Sequence, residues 1–426
     1  MADTTFAREV ARNLRWNFSV NLLDISFIML GLGLVSRETV IPLLVSKLTP
    51  STVAIGLVPA VYSLGMYLPQ LVGAGFTAAM PRKKPFVVLA GIGERLPYLL
   101  VGIAVALLAE SFPTVALGAV VLLIGFSGAS AGFATPAWYD MIAKVIPVQR
   151  RGVFTGLGHG LGALMGVVGA AGIGIILERW SYPTGFVILF TLAFAMMIIS
   201  WIGLILNREP ASASVPPPTP LIHYLRRLPA MLRSDHNFAR YVAAIAVVRG
   251  GAMATGFFLV YGTERFQLSG ATVGLLTGVL IGSQALLNPL WGVLGDRHGH
   301  KLVLVGGAVA LALSAITALL AATWLWLVAV FLLLGAFLSA DTTSSLNIIL
   351  EFCSDEDRPT YIGLTNTLLA PVTAFAPLVG GWLAAWLGYP PMLTIAALLA
   401  AVGAVLLALW VREPRRRPAE LSARST

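Results

Sequence analysis

Twelve stretches of this chain are apolar for long enough to cross a bilayer, and nothing else in the sequence constrains the fold as tightly. They fall roughly at 18–45, 53–76, 86–109, 114–141, 153–177, 184–206, 239–263, 270–294, 301–322, 323–349, 360–386 and 390–412. A helix needs about 20 apolar residues to cross the hydrocarbon core. The composition agrees: 58% of the 426 residues are hydrophobic and 11% charged, with mean hydropathy +0.86. A soluble protein of this length would need far more charge to cover its surface. The chain reads as an all-α integral membrane protein with 12 transmembrane helices. Its first residues, MADTTFAREVARNLRWNF, carry charges on both sides of a broken apolar pattern and no cleavage-like site, so they do not read as a signal peptide.

The 28 basic residues outnumber the 19 acidic ones, a balance that could suggest nucleic acid until its distribution is mapped. With a cytoplasmic N-terminus, 22 of the basic side chains fall in cytoplasmic termini and loops. The remaining six are Arg37, Lys47, Arg95, Arg179, Arg249 and Arg265. Such asymmetry is a positive-inside signal and predicts both termini on the cytoplasmic face of the cell membrane. The net charge of +9 is then a matter of topology, and no nucleic-acid partner is expected. One cysteine, Cys353, excludes an internal disulfide and a multi-cysteine metal centre. His298 and His300 stand two apart in a basic loop, a poor metal site. Neither a metal nor a cofactor is expected.

A proline-rich linker divides the chain near its middle. Pro216, Pro217, Pro218 and Pro220 cannot lie in a helix, and the basic, amphipathic segment after them fits the membrane surface. The expected domains are an N-terminal six-helix half (1–206), a cytoplasmic linker (207–238), a C-terminal six-helix half (239–412) and a cytoplasmic tail (413–426). The halves resemble each other in order. STVAIGLVPAVYSLGMYLP at 51–69 parallels ATVGLLTGVLIGSQALLNP at 271–289, and RGVFTGLGHGLGALMG at 151–166 parallels RPTYIGLTNTLLAPVT at 358–373.

Between the eighth and ninth apolar stretches stands GVLGDRHGHK, residues 292–301. Gly292, Asp296, Arg297, Gly299 and Lys301 fit the Gly-x-x-x-Asp-Arg-x-Gly pattern, with basic positions after it, of the loop between helices 8 and 9 in the major facilitator superfamily (MFS). His300 sits where arginine is usual. By these residues and their place, the chain resembles that superfamily. The resemblance implies the MFS fold: two pseudo-symmetric, parallel six-helix bundles, with helices 1, 4, 7 and 10 lining a central cavity. Two signatures within the superfamily are missing. Helix 5 is rich in glycine at spacings of four, fit for close helix packing, but lacks the Gly-Pro-x-x-Gly-Gly of drug and proton antiporters. Helix 4 lacks their arginine. Both departures weaken a proton-coupled drug-efflux reading.

Charges inside the hydrocarbon cost about 2.5–3.5 kcal/mol each on insertion scales and call for a reason. The candidates are Asp24, Arg37 and Glu38 on helix 1, Glu94 and Arg95 on helix 3, Asp140 on helix 4, Arg249 on helix 7 and Asp341 on helix 10. On a continuous helix, Asp24 and Glu38 would share one face roughly 21 Å apart. Asp24, Glu38, Arg249 and Asp341 are the expected substrate or coupling residues. Arg249 could bind an anionic solute or pair with Asp341 or Asp24. Asp341 lies in SADTTSSLN, a run too polar to face lipid on all sides. Glu94 with Arg95, and Asp140 with Lys144, read as local structural pairs.

The first-half loop MPRKKP keeps three cations, Arg82, Lys83 and Lys84, but has no acid at the position equivalent to Asp296. Two charge contacts are expected to close the cytoplasmic side: Arg82, Lys83 and Lys84 with Asp355, Glu356 and Asp357, and Asp296 with Arg150 and Arg151. The expected function is that of a secondary active transporter, monomeric, moving a small solute by alternating access, with protons as a candidate coupling ion. The alternative is a non-transporting sensor on the same fold. An enzyme fits least, since no catalytic constellation is present.

Overall fold

In a computed structural model of the chain, residues 2–212, 235–353 and 358–414 are described. They form α1 (Ala2–Leu34), α2 (Val40–Leu48), α3 (Thr52–Ala78), α4 (Lys84–Leu108), α5 (Pro113–Val145), α6 (Val148–Arg179) and α7 (Thr184–Leu206). There follow α8 (His236–Gly251), α9 (Phe258–Phe266), α10 (Gly270–His298), α11 (His300–Leu320), α12 (Trp326–Phe352), α13 (Arg358–Leu387) and α14 (Tyr389–Leu409). Twelve spans are long and apolar enough to cross a membrane, α8 and α9 together making one of them. Leu409, Leu286 and Leu107 are 83%, 72% and 71% exposed, a surface suited to lipid rather than water.

The first apolar stretch, 18–45, is not one continuous helix. Its helix stops at Leu34 and restarts at Val40, so Arg37 and Glu38 lie in a break. Asp24 and Glu38 therefore do not share one helical face, contrary to the expectation from a continuous helix. Pro42 supplies the reason: it has no N–H for the Glu38 carbonyl, and its ring would collide with that carbonyl in a helix. Ser36 offers the backbone a substitute, its Oγ accepting from the Glu38 N–H at 3.3 Å and donating to the Glu38 carboxylate at 3.2 Å. The seventh span breaks likewise just after Gly250 and Gly251, where a short 3₁₀ turn over Ala252–Ala254 intervenes.

The chain divides into two compact units. One comprises Met1–Pro50, Leu57–Leu221 and Leu268–Gly278, the other Ser51–Gly56, Ile222–Gln267 and Val279–Thr426. In the first, α1 packs on α6 and α7, and α4 on α5 and α7. Glycines let α3 and α5 touch backbone to backbone: a Cβ at Gly73 would collide with the Phe133 carbonyl, and one at Gly132 with that of Met66. The helix-5 glycines act on α6 as expected for part of their number. Gly158, Gly162 and Gly169 receive α1 side chains, whereas Gly152, Gly156 and Gly160 have nothing within 4 Å. In the second unit α11 packs on α12 and α14, and α8 on α14. Phe238, Tyr241, Phe352 and Tyr361 join α8, α12 and α13 there, with ring centroids 4.6–6.3 Å apart.

Candidate functional site

Asp24 projects from α1 into the interior of the first unit, where it is 3% exposed. Three other helices reach it. Ser200 of α7 donates to its Oδ1 at 2.6 Å, Trp138 of α5 donates to Oδ2 at 3.4 Å, and the Arg95 guanidinium of α4 lies 3.4 Å from Oδ1. Arg95, also 3% exposed, spreads its remaining donors over Ser200 Oγ at 2.9 Å, the Met197 carbonyl at 3.1 Å and the Gly91 carbonyl at 3.2 Å. Glu94 completes the group, 2.9 Å from Arg95, while Ser127 holds the Glu94 carbonyl at 2.7 Å. Gly203 makes this approach possible, because a Cβ there would lie 2.6 Å from the Val20 carbonyl and push α7 off α1.

The expected local pair of Glu94 and Arg95 is therefore present, but Arg95 serves Asp24 as well. Two hydrogen-bonding partners, Ser200 and Trp138, escaped sequence reasoning. Their only signal was a serine one turn before a glycine in an otherwise apolar span. Glu38 meets only Ser36 among the hydrogen bonds described above. Arg37 stands over the Tyr62 ring, 4.4 Å from its centroid.

The second unit has its own charge pair. Arg249 of α8 donates from Nη2 to both carboxylate oxygens of Asp341 on α12, at 2.8 and 2.7 Å. Ser345, four residues on, donates to Asp341 Oδ1 at 2.7 Å. The side chains of Arg249 and Asp341 are 19% and 22% exposed, against 4% for each member of the Arg95–Asp24 pair. The rest of the polar run is employed too: Thr343 donates to Asn288 at 3.2 Å, and Ser344 meets His300 Nδ1 at 3.1 Å. The Tyr241 hydroxyl of α8, fully buried, has no hydrogen-bond partner among the described residues.

The loop 292–301 is built to turn the chain. Gly299 has φ +97° and ψ 145°, a conformation open essentially to glycine alone. It is also crowded, since a Cβ would lie 2.5 Å from the Glu413 carboxyl carbon. Lys301 donates to the carbonyls of Ala408 and Val411 at 2.9 and 2.8 Å, capping the end of α14. Asp296 is 78% exposed, 3.9 Å from His300 Nε2. Gly292 is half-buried and Arg297 exposed.

In the first unit the corresponding loop is held by an acid the sequence reading overlooked. Glu209, just beyond α7, accepts from the backbone N–H groups of Lys83 and Lys84 at 2.9 and 2.7 Å and from Lys144 Nζ at 3.2 Å. It thus caps the N-terminus of α4, where a carboxylate is favoured. Asp140 binds Lys144 at 3.3 Å, as expected, and Lys83 at 3.6 Å. Arg151 donates to the carbonyls of Ile146 and Ala143 at 3.0 and 2.6 Å, closing the end of α5, while Arg150 is exposed. Asp355, Glu356 and Asp357 lie outside the described residues.

Residues 23–262 and 241–426 match the profile of the Major Facilitator Superfamily, which together cover most of the chain. The chain belongs to the Major Facilitator Superfamily. Among curated relatives, this MFS protein is 29% identical over 181 residues to the multi-drug resistance efflux pump PmrA homolog of Lactococcus lactis, a match over 41% of this chain and 44% of the relative. It is 25% identical over 182 residues to the staphyloferrin B transporter of Staphylococcus aureus, over 42% and 43%. The chain spans less than half the length of these relatives. Its fold is that of a solved D-xylose-proton symporter, with TM-score 0.70 at 13% identity, covering 93% of this chain and 98% of the other. The nucleoside transporter NupG has the same fold, with TM-score 0.68 at 13% identity over 92% and 98%.

Proposed function

We propose that this MFS protein is a secondary active transporter that moves a small solute by alternating access, with Arg249 and Asp341 as its solute or coupling point. The observation that carries the reading is an arginine–aspartate pair within the membrane spans of each unit. Insertion scales charge about 2.5–3.5 kcal/mol for each such residue, and apolar packing would hold the helices without them. The two pairs differ in access. Asp341 and Arg249 are partly open and can exchange partners with a solute. Asp24 is enclosed among four helices, so a proton arriving there would alter the packing of α1, α4 and α7 without touching the solute. Glu38 is the weaker candidate, held by Ser36 in the helix break. The names of the relatives, an efflux pump and a staphyloferrin B transporter, support a transporter and leave the solute open.

In this reading both termini are cytoplasmic, by the distribution of lysine and arginine, and the protein works as a monomer. Asp296 and the Arg150–Arg151 pair remain the proposed charge contact of the cytoplasmic gate. The test is flux of a solute panel in proteoliposomes, with and without a pH gradient. A gradient-dependent flux lost in Asp341→Asn supports the reading. Solute binding without flux would instead identify a sensor. Flux that ignores the gradient and survives both Asp24→Asn and Asp341→Asn would remove proton coupling.

A further inference from the structure

At the end of the first unit where α4 begins and α7 has just ended, a cavity of about 480 Å³ opens beside Arg82, Lys84 and Arg208. That volume falls within the roughly 300–1,000 Å³ of small-ligand sites. Its wall toward the membrane is apolar, formed by Val88 and Ile205. Its depth is marked by Trp16, which is 41% exposed, donates to the Leu206 carbonyl at 2.8 Å and lies under the Arg208 guanidinium at 4.8 Å. A tryptophan with one polar atom satisfied and its ring exposed is typical of headgroup level.

The charge of the cavity is unbalanced. Glu209 is its one carboxylate, and that carboxylate is fully enclosed and committed to Lys144 and the start of α4. Lys84 gives one donor to the Asn207 carbonyl at 2.8 Å, and Arg208 gives one to Asn13 at 3.3 Å. None of the three cations has an ion pair with a carboxylate among the described residues. Three cations around one opening, with an apolar side wall, suit a phosphate that brings its own hydrocarbon.

We infer that this cavity binds the headgroup of an acidic phospholipid, its phosphate held by Arg82, Lys84 and Arg208 and its glycerol and acyl chain running past Val88 and Ile205. A soluble phosphate would satisfy the cations but leave the apolar wall uncovered, which favours the lipid. The site does not depend on which solute is carried or on which face of the membrane it occupies.

The test is a binding titration of the purified full chain in detergent with dioctanoyl phosphatidylglycerol and dioctanoyl phosphatidylcholine. Inorganic phosphate and glycerol phosphate serve as competitors. A basic side chain near a membrane surface is worth about five-fold in affinity for acidic lipid. Arg82→Gln should therefore weaken phosphatidylglycerol by about five-fold, and the triple change Arg82→Gln, Lys84→Gln, Arg208→Gln by about 100-fold, with phosphatidylcholine unaffected. Arg82→Gln is the decisive variant, because Arg82 makes no side-chain hydrogen bond within the described chain and its loss should leave the thermal midpoint unchanged. Arg240→Gln is the control, a cation 5.8 Å from the Trp410 ring that does not line the cavity. Equal affinity for the two lipids, or equal loss in Arg82→Gln and Arg240→Gln, would overturn the inference. Displacement of the lipid by inorganic phosphate at matched concentration would overturn it in favour of a soluble anion.

Discussion

A double-mutant cycle of Asp24→Asn, Arg95→Gln and the two together tests the buried cluster most directly. Removing one member of a buried pair costs about 3–5 kcal/mol, and with each side chain 4% exposed, water offers little relief. For Asp24→Asn the lower end applies. Arg95 keeps Glu94 at 2.9 Å and the Met197 and Gly91 carbonyls, so its charge is not stranded, and the cost should be about 3 kcal/mol. For Arg95→Gln, Asp24 keeps the donors Ser200 and Trp138 and can shed its charge by taking a proton. That change also removes bonds to Met197, Gly91 and Ser200 at about 1 kcal/mol each, while Glu94, 28% exposed, can turn to water in place of Arg95, which again gives about 3 kcal/mol. If the two residues act as a unit, the double variant should cost about 4 rather than 6 kcal/mol, a coupling of about 2 kcal/mol. Equilibrium unfolding in mixed micelles measures stability, and proteoliposome flux is read alongside. Additivity within about 0.5 kcal/mol would show that the 3.4 Å contact carries no coupling. Gradient dependence that survives Asp24→Asn would show that Asp24 is not the coupling site.

Three further outcomes are expected. Asp341→Asn should lower solute flux at least about tenfold while costing only about 1–3 kcal/mol of stability, less than a fully buried pair because its side chain is 22% exposed. Thr342→Ala, a neighbour that among the described residues donates only to the Leu338 carbonyl, should leave flux unchanged in the same assay. Gly299→Ala should cost about 1–3 kcal/mol through its positive φ. Because the crowding by Glu413 is a separate cause, combining it with Glu413→Ala should restore only part of the thermal midpoint. Asp296→Arg should impair flux, and Arg150→Asp should restore part of it. Arg150 is the cleaner partner for this swap, since Arg151 caps α5 through Ile146 and Ala143 and its reversal would also disturb that helix.

Span number and position were legible because a bilayer demands about 20 apolar residues and the chain supplies twelve such runs. The breaks were signalled, by Pro42 in the first span and Gly250–Gly251 in the seventh, but hydropathy averages over both. The Arg249–Asp341 contact could be named in advance as one of few charges available within the spans. Asp24 was a different matter. Its partners stand 71, 114 and 176 residues away, brought together by packing that no local pattern encodes. Glu209 was hidden for the opposite reason: it sits in what composition marks as the start of a linker, where a lone acid carries no signal until the α4 terminus is seen beside it.

The two interrupted spans belong with the charge pairs. Each unit's broken helix also carries a member of its intramembrane pair: Asp24 lies before the break at residues 35–39, Arg249 immediately before the break at 252–257. A helix held by one strong polar contact on one side of a break, with a short independent helix on the other, can bend at the break without losing that contact. The pair then fixes one part of the helix to its unit while the other part is free to follow a conformational change, as hinges at element ends do. On this argument the ion pairs limit where the spans bend. Replacing Pro42 by leucine should mend the first break, stiffen that span and slow solute flux, with stability unchanged or raised by removing a helix breaker worth about 3 kcal/mol. Unaltered flux in Pro42→Leu would show that the break plays no part in the transport cycle, and faster flux that bending there hinders it.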